Sequence, residues 1–348
     1  MKKPLSLVLS CATIVSALCL TACGEKSEKV GAISRQPLTL MLDYFPNADH
    51  VGIYQGLAAG DFRNAGIDLH IQTPTDPATP LKLLAAGRVD VAISYEPEVL
   101  LARDKGEPLV SIAAVVQKPL TAIVSIGSKK ITNVQALKGK RVGDSGIPYQ
   151  HAYLQTILSN ANLALDSVKE TNVGFNLVPA MLSGQVDATL GAYWNYEAIQ
   201  LAMKHKHPNV IHMEQVGVPT YDELVLVVTR KTLMTKADEL RRFVQAMARG
   251  YEAARNDPAA AVQTLVHSTT GLEPKFQLAS VKATLPVFFP ADPSQPWGWQ
   301  NQNEWNNYGA WMLQNHLVSN PAAVAQASTN ELLAGQGTPG NQAGTGSS

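Results

Sequence analysis

The sequence predicts an α/β protein of two doubly wound lobes, joined by a two-crossing hinge and enclosing a cleft. Three observations lead there. The chain has 348 residues, more than one hydrophobic core usually serves. Short apolar runs alternate with helical stretches, the pattern of right-handed βαβ units in largely parallel sheets. One helix-to-strand passage also occurs twice: Leu84-Ala85-Ala86-Gly87-Arg88-Val89-Asp90-Val91-Ala92-Ile93 is matched by Met181-Leu182-Ser183-Gly184-Gln185-Val186-Asp187-Ala188-Thr189-Leu190. In each, an apolar helix ends at a Gly suited to the left-handed C′ position and Val-Asp opens a buried strand.

The first residues read as an export signal. Lys2 and Lys3 precede an apolar stretch from Leu5 to Leu20, and Leu20-Thr21-Ala22-Cys23-Gly24 resembles a bacterial lipobox. Residues 1–22 are therefore expected to be removed and Cys23 to carry lipid. An uncut anchor is the alternative, although the stretch is short for a bilayer-spanning helix; both tether the protein outside the cytoplasm. Cys11 and Cys19 would leave with the signal, which excludes an intrachain disulfide, a Cys-based zinc site and a catalytic Cys. Residues 23–36, rich in charge, Ser and Gly, read as a flexible linker. Residues 335–348 lack an apolar residue able to dock and read as a disordered tail. Lys plus Arg and Asp plus Glu number 28 each, and the basic residues form no stripe, so nucleic-acid binding is set aside.

Along the body, Leu38 to Leu42, Leu69 to Gln72, Val89 to Ile93 and Leu109 to Val116 read as strands, with helices over Val51 to Ala59, Ala78 to Ala86 and Pro97 to Lys105. The rhythm returns with strands at Arg141 to Gly143 and Ala188 to Gly191 and helices at Gln150 to Asn160 and Asn195 to Lys206. Extended segments at Thr121 to Ser125 and Tyr221 to Val228 read as the two hinge crossings. Residues 37–123 with 225–334 then form lobe 1, and 124–224 lobe 2. A long amphipathic helix over Ala237 to Asn256 and another over Asn301 to Asn315, with Trp305 and Trp311, would pack back onto lobe 1.

Ligands of open parallel sheets sit beyond the carboxyl ends of the strands. The residues there are Asp43, Tyr44, Asn47 and His50 after the first strand, Tyr95 and Glu96 after the third, and Tyr193, Trp194 and Glu197 late in the second lobe. Asn47 and Asp49 also suit helix capping, and Tyr193-Trp194-Asn195-Tyr196 also suits a hydrophobic strand-helix corner. Gly146 and Pro148, in Gly143-Asp144-Ser145-Gly146-Ile147-Pro148-Tyr149-Gln150, open a helix whose free amides suit a polar substituent. A carboxylate can accept from an exocyclic amine and share a proton with an adjacent ring nitrogen, and Glu197 is the candidate for this. Tyr44, Tyr193 and Trp194 are candidates to stack on the ring, each pair adding about 0.5–1.5 kcal/mol beyond area burial. No catalytic constellation, metal cluster or cofactor motif accompanies them.

Asp43-Tyr44-Phe45-Pro46-Asn47-Ala48-Asp49-His50-Val51-Gly52-Ile53-Tyr54-Gln55 resembles the opening motif of the thiamine-pyrimidine family. That family includes importer-linked binding proteins for pyrimidine precursors of thiamine and eukaryotic pyrimidine synthases. Gly60-Asp61-Phe62-Arg63-Asn64-Ala65-Gly66-Ile67-Asp68-Leu69, Ser94-Tyr95-Glu96-Pro97-Glu98 and Gly191-Ala192-Tyr193-Trp194-Asn195-Tyr196-Glu197 carry the likeness onward, over most of residues 38–230. The resemblance implies the type II periplasmic binding protein fold and a monomeric, lipid-anchored carrier that passes a thiamine pyrimidine to the permease and ATPase of an ABC importer. Family members often have a Tyr-Pro-Gly or Gly-rich version where this chain has Asp144-Ser145.

Three other functions remain on the page: a riboflavin carrier, a sulfonate carrier and a pyrimidine-making enzyme. The resemblance implies that the synthases use a Lys and a His near the opening motif and a Cys-rich run after the second lobe. Here no Lys lies between Arg35 and His50, and the corresponding run is Tyr221-Asp222-Glu223-Leu224-Val225. An anion site calls for Arg or Lys, where these motifs supply carboxylates and aromatics.

Overall fold

The computed structural model describes residues 35–336. The stretch read as an export signal, the expected lipidation site Cys23, the expected linker as far as residue 34 and the tail from residue 337 lie outside the described residues. In chain order the elements are β1 (Gln36–Met41), α1 (Val51–Ala59), α2 (Asp61–Asn64), β2 (Ile67–Gln72), α3 (Pro80–Ala85), β3 (Val91–Ser94), α4 (Glu96–Asp104), β4 (Leu109–Val116) and β5 (Thr121–Ser125). There follow β6 (Arg141–Asp144), α5 (Pro148–Asn160), β7 (Lys169–Asn172), α6 (Leu177–Leu182), β8 (Ala188–Tyr193), α7 (Glu197–Met203), β9 (Asn209–His212) and β10 (Leu224–Thr229). Helices α8 (Arg230–Thr235), α9 (Ala237–Asn256), α10 (Pro258–Ser268), α11 (Pro274–Thr284) and α12 (Gln302–Gln314) complete the body.

The strands form two five-stranded sheets, ordered β2-β1-β3-β10-β4 and β7-β6-β8-β5-β9. Each has a parallel βαβ part: β1 with β2 and β3, β6 with β7 and β8. The expectation of largely parallel sheets needs correcting, because both sheets are mixed. β10 runs antiparallel to β3 and β4, and β5 antiparallel to β8 and β9. The reason lies in the crossings. The segments read as plain connectors continue into strands, and each inserts into the sheet of the lobe it enters.

The chain leaves the first sheet at Val116 and joins the second at Thr121, and it returns between His212 and Leu224. Thus β5 lies whole in the second sheet. One buried carboxylate ties the crossings together. Glu223 Oε2 accepts from the N–H groups of Leu120 (2.7 Å) and Thr121 (2.8 Å) and from the Tyr221 hydroxyl (3.0 Å), while Oε1 accepts from the Thr121 hydroxyl at 2.9 Å.

The internal echo has a structural meaning. Gly87 (φ 66°) and Gly184 (φ 74°) both take the left-handed conformation that ends their helices. The Asp of each Val-Asp then grips the first strand of the parallel part of its own sheet: Asp90 accepts from Thr39 N–H at 2.9 Å and Asp187 from Arg141 N–H at 3.0 Å. Each also meets cations, Lys236 at Asp90 and Arg141 with Lys129 at Asp187. Hydrogen bonds from Arg141 hold the Asp187 carboxyl well below the usual carboxylate range. The repeated motif therefore sets strand register and leaves the following residues at the sheet's carboxyl edge.

Late in the chain, the tryptophans read as packing residues do pack. Trp297 stacks on Tyr251 at 4.9 Å, and the buried Trp305 donates its indole N–H to Asp222 at 2.7 Å. Among the described residues no helix is long and apolar enough to cross a membrane.

Glu223 receives four donors at a fully buried site, so replacing one oxygen by an amide NH2 turns acceptance into donor-against-donor conflict. Glu223→Gln is expected to lower stability by roughly 2–4 kcal/mol, measured by urea unfolding. A change below about 0.5 kcal/mol, the scale of ordinary surface substitutions, would show that the crossings do not depend on this group.

Candidate functional site

The cleft opens where the two sheets present their carboxyl edges. From the first lobe, Asp43 and Tyr44 follow β1, and Asn47 caps the short helical turn that leads into α1. The Asn47 side chain accepts from Asp49 N–H at 2.8 Å. Tyr95 follows β3. From the second lobe come Ser145, Ile147 and Gln150 around the start of α5, Leu177 at the start of α6, and Gly191, Tyr193, Tyr196 and Glu197 along β8 and into α7.

Asp43 is the best-anchored acid of the cleft. Its Oδ1 lies 2.8 Å from His50 Nε2, and its Oδ2 accepts from the Tyr95 hydroxyl at 3.1 Å. His50 Nδ1 accepts from Asn47 N–H at 3.2 Å, so the ring proton sits on Nε2 and is donated to Asp43. His50 is wholly buried behind the cleft wall. It orients Asp43 and has no ring atom left for a ligand.

Glu197 opens α7, and its Oε2 accepts from Tyr193 N–H at 2.7 Å. Burial pushes its pKa up to about 7, against the lowering effect of backbone hydrogen bonds from Tyr193 and from Glu197 itself. Asp49 is likewise raised by burial to about 7, with His50 pulling the other way. Across the cleft, Asp49 Oδ1 accepts from Asn195 Nδ2 at 2.8 Å. Tyr44 donates its hydroxyl to the Phe175 carbonyl at 3.0 Å, and the rings of Tyr44 and Phe45 meet Phe175 at 4.4 and 4.3 Å.

Of the residues singled out in the sequence, Asp43, Tyr44, Asn47, Tyr95, Tyr193 and Glu197 come together in this cleft. Five lie elsewhere. His50 stands behind Asp43. Glu96 turns from the cleft to the returning crossing, where its Oε2 accepts from Asp222 N–H at 2.8 Å. Trp194 donates its indole N–H to the Pro119 carbonyl at 2.8 Å and packs by His212. Gly146 and Pro148 face the opposite side, toward His151 and Asn172, because Ser145 and Ile147 point inward and alternate residues of an extended segment diverge. Tyr196 takes the wall that Trp194 was expected to form. Asp49 was read as a cap and is also a wall residue.

Two mixed α/β sheets joined by paired crossings, with a cleft at their carboxyl edges, define the fold of periplasmic binding proteins. The alkanesulfonate-binding protein of Xanthomonas axonopodis pv. citri superposes with a TM-score of 0.65 over 84% of this chain and 98% of that one, at 17% identity. The model of the family described as NMT1/THI5 like matches residues 47–261, and the chain belongs to that family. It is 31% identical to the formylaminopyrimidine-binding protein of Halalkalibacterium halodurans over 331 residues, 93% of this chain and 97% of the relative. A more distant relative, 22% identical over 85% of this chain and 92% of its own length, is the 4-amino-5-hydroxymethyl-2-methylpyrimidine phosphate synthase of Legionella pneumophila.

Burial raises Glu98 to about 7 as well. With Asp49 and Glu197, it keeps protons in the folded state that the unfolded chain releases near pH 4. Stability from this source is present below about pH 4 and is lost as pH rises toward 7. The melting temperature of the unliganded protein is expected to fall by a few degrees from pH 5 to 7.5, and less in Glu197→Gln. A flat or rising wild-type profile in scanning calorimetry contradicts this account.

Proposed function

We propose that the protein captures an aminopyrimidine precursor of thiamine in this cleft and hands it to an ABC importer. The observation that carries the reading is the wall chemistry. Asp43, Asp49 and Glu197 face the cleft with Tyr44, Tyr95, Tyr193 and Tyr196, and no Lys, Arg or His is among the lining residues. A flat ring rich in N–H donors fits such a wall, whereas a sulfonate would meet carboxylates with no cation to receive it. The name of the Halalkalibacterium halodurans relative supports the same cargo class.

Glu197 is the recognition group. An acid whose pKa lies near 7 can accept from an exocyclic amine and share one proton with the neighbouring ring nitrogen, an arrangement stronger than a neutral pair. Asp43, held by His50 and Tyr95, and Asn47 supply further polar contacts, while the tyrosines cover the ring faces. Contacts from both lobes favour the closed cleft over the open one, which is the differential affinity that closure requires. The lobes take residues 37–123 with 225–334 and 124–224, apart from the short stretches that the sheets reassign.

A carrier is favoured over a synthase on two grounds. Residues 24–348 contain no cysteine, and both ring nitrogens of His50 are engaged behind the wall. The reading extends to an extracytoplasmic monomer, anchored by lipid at Cys23 and serving a permease and its ATPase. The lipobox-like Leu20-Thr21-Ala22-Cys23 supports the anchor.

Calorimetric titration with hydroxymethyl- and formylaminomethyl-substituted aminopyrimidines, riboflavin and taurine tests the cargo. At least one pyrimidine is expected to bind about a hundredfold tighter than riboflavin or taurine, a gap of about 2.7 kcal/mol. Glu197→Gln should weaken it about tenfold or more. Above pH 8 the wild-type affinity should drop as the shared proton is lost, and the variant should not follow. Tighter binding of taurine than of any pyrimidine would falsify the assignment.

A further inference from the structure

Gln150 is only 1% exposed, yet it lines the cleft. Ser145 donates to its Oε1 twice, from the backbone N–H and from the hydroxyl, each at 2.8 Å. Two donors on one oxygen decide which end of the amide is which, so Nε2 points away from Ser145. Nε2 lies against Gly191, which has φ 104°, and a Cβ at that position would stand 2.3 Å from it. Glycine at 191 is thus the condition for Gln150 to occupy its place. The Thr121 hydroxyl gives its own hydrogen to Glu223, so the Tyr149 phenol donates to Thr121 at 3.2 Å and its oxygen accepts from the Gln150 amide. An amide nitrogen carries two hydrogens, so one remains for the cleft that Gln150 lines.

The neighbouring wall has the opposite polarity. Gly191 and Tyr193 lie two residues apart on β8 and both line the cleft, the strand bulging at Gly191 in its pairing with β5. Gly191 backs the Gln150 amide, and Tyr193 N–H holds the Glu197 carboxyl. A hydrogen-bond donor and a carboxylate acceptor therefore line the same cleft.

We infer that Gln150, fixed by Ser145 and admitted by Gly191, is the residue that selects the substituent of the cargo. This rests on the aminopyrimidine reading and deepens it. Glu197 reads the amine edge of the ring. Gln150 reads an oxygen acceptor carried on the ring's side arm, a carbonyl or a hydroxyl. An arm ending in methyl leaves the buried N–H unpaired, and an arm ending in ammonium cannot accept from it.

The test uses the full-length protein, titrated with an aminopyrimidine bearing a formylaminomethyl arm and with its counterpart bearing methyl in that position. The wild type is expected to prefer the formyl compound by about tenfold or more. Gln150→Met, of similar length without a donor, should erase that preference while leaving the methyl compound within about twofold. Ser145→Ala, which frees the amide to turn over, should reduce the preference in part and carries the test if Gln150→Met does not fold. A preference undiminished in either folded variant, or an equal loss for both compounds, overturns the role of Gln150 and leaves the pyrimidine reading standing. If the wild type binds neither compound, the pyrimidine reading fails and this inference fails with it.

Discussion

A single buried carboxylate joins the two halves of the chain. Glu223 lies on the returning crossing, yet its donors at Leu120 and Thr121 belong to the outgoing one. Its four hydrogen bonds hold the two crossings side by side. Burial raises the pKa of Glu223 despite these hydrogen bonds. The same segment carries Asp222, which grips Trp305 from α12 and Glu96 from α4. The hinge is a compact polar knot set into apolar surroundings, and through Thr121 and Tyr149 it reaches the wall of the cleft at Gln150.

The cleft shows a second economy of charge. Three acids face one small space with no cation among the lining residues, a costly arrangement if all were ionised in a low-dielectric site. The protein meets the difficulty in two ways. Asp43 is anchored by His50 and Tyr95, and Asp49 and Glu197 hold protons more tightly than exposed acids do. The result is a wall that can accept hydrogen bonds or share protons according to its guest.

Much of this was legible in the residues. The largely apolar run of β4 matched its observed bounds, as did α1 and the long amphipathic α9. Strand ends located Asp43, Tyr44, Tyr95 and Tyr193, because ligands gather where parallel strands finish. The failures have particular causes. β7 is Lys-Glu-Thr-Asn on a sheet edge, with no apolar alternation to betray it. β5 and β10 read as connectors because extended apolar segments look alike whether or not they pair. Trp194 and Tyr196 differ only in which way a tight corner turns them. Leu177 reaches the cleft from α6, across the lobe, and no local pattern announces such an approach. Gln150 was in view within its motif, but its importance depends on Ser145 and Gly191, which meet it only in three dimensions.

The strand order of the first sheet also governs how the protein can be assembled. β10 sits between β3 and β4, but it arrives more than a hundred residues after β4, once the whole second sheet has been spelled out. Until then β3 and β4 have no strand to separate and pair them, and the first lobe remains an open, sticky edge. The second sheet, contiguous from β5 to β9, faces no such delay. Maturation should therefore proceed from the middle of the chain outward, at the slow pace that distant pairings impose. The six residues Leu224–Thr229 close the last gap, although they touch no cargo.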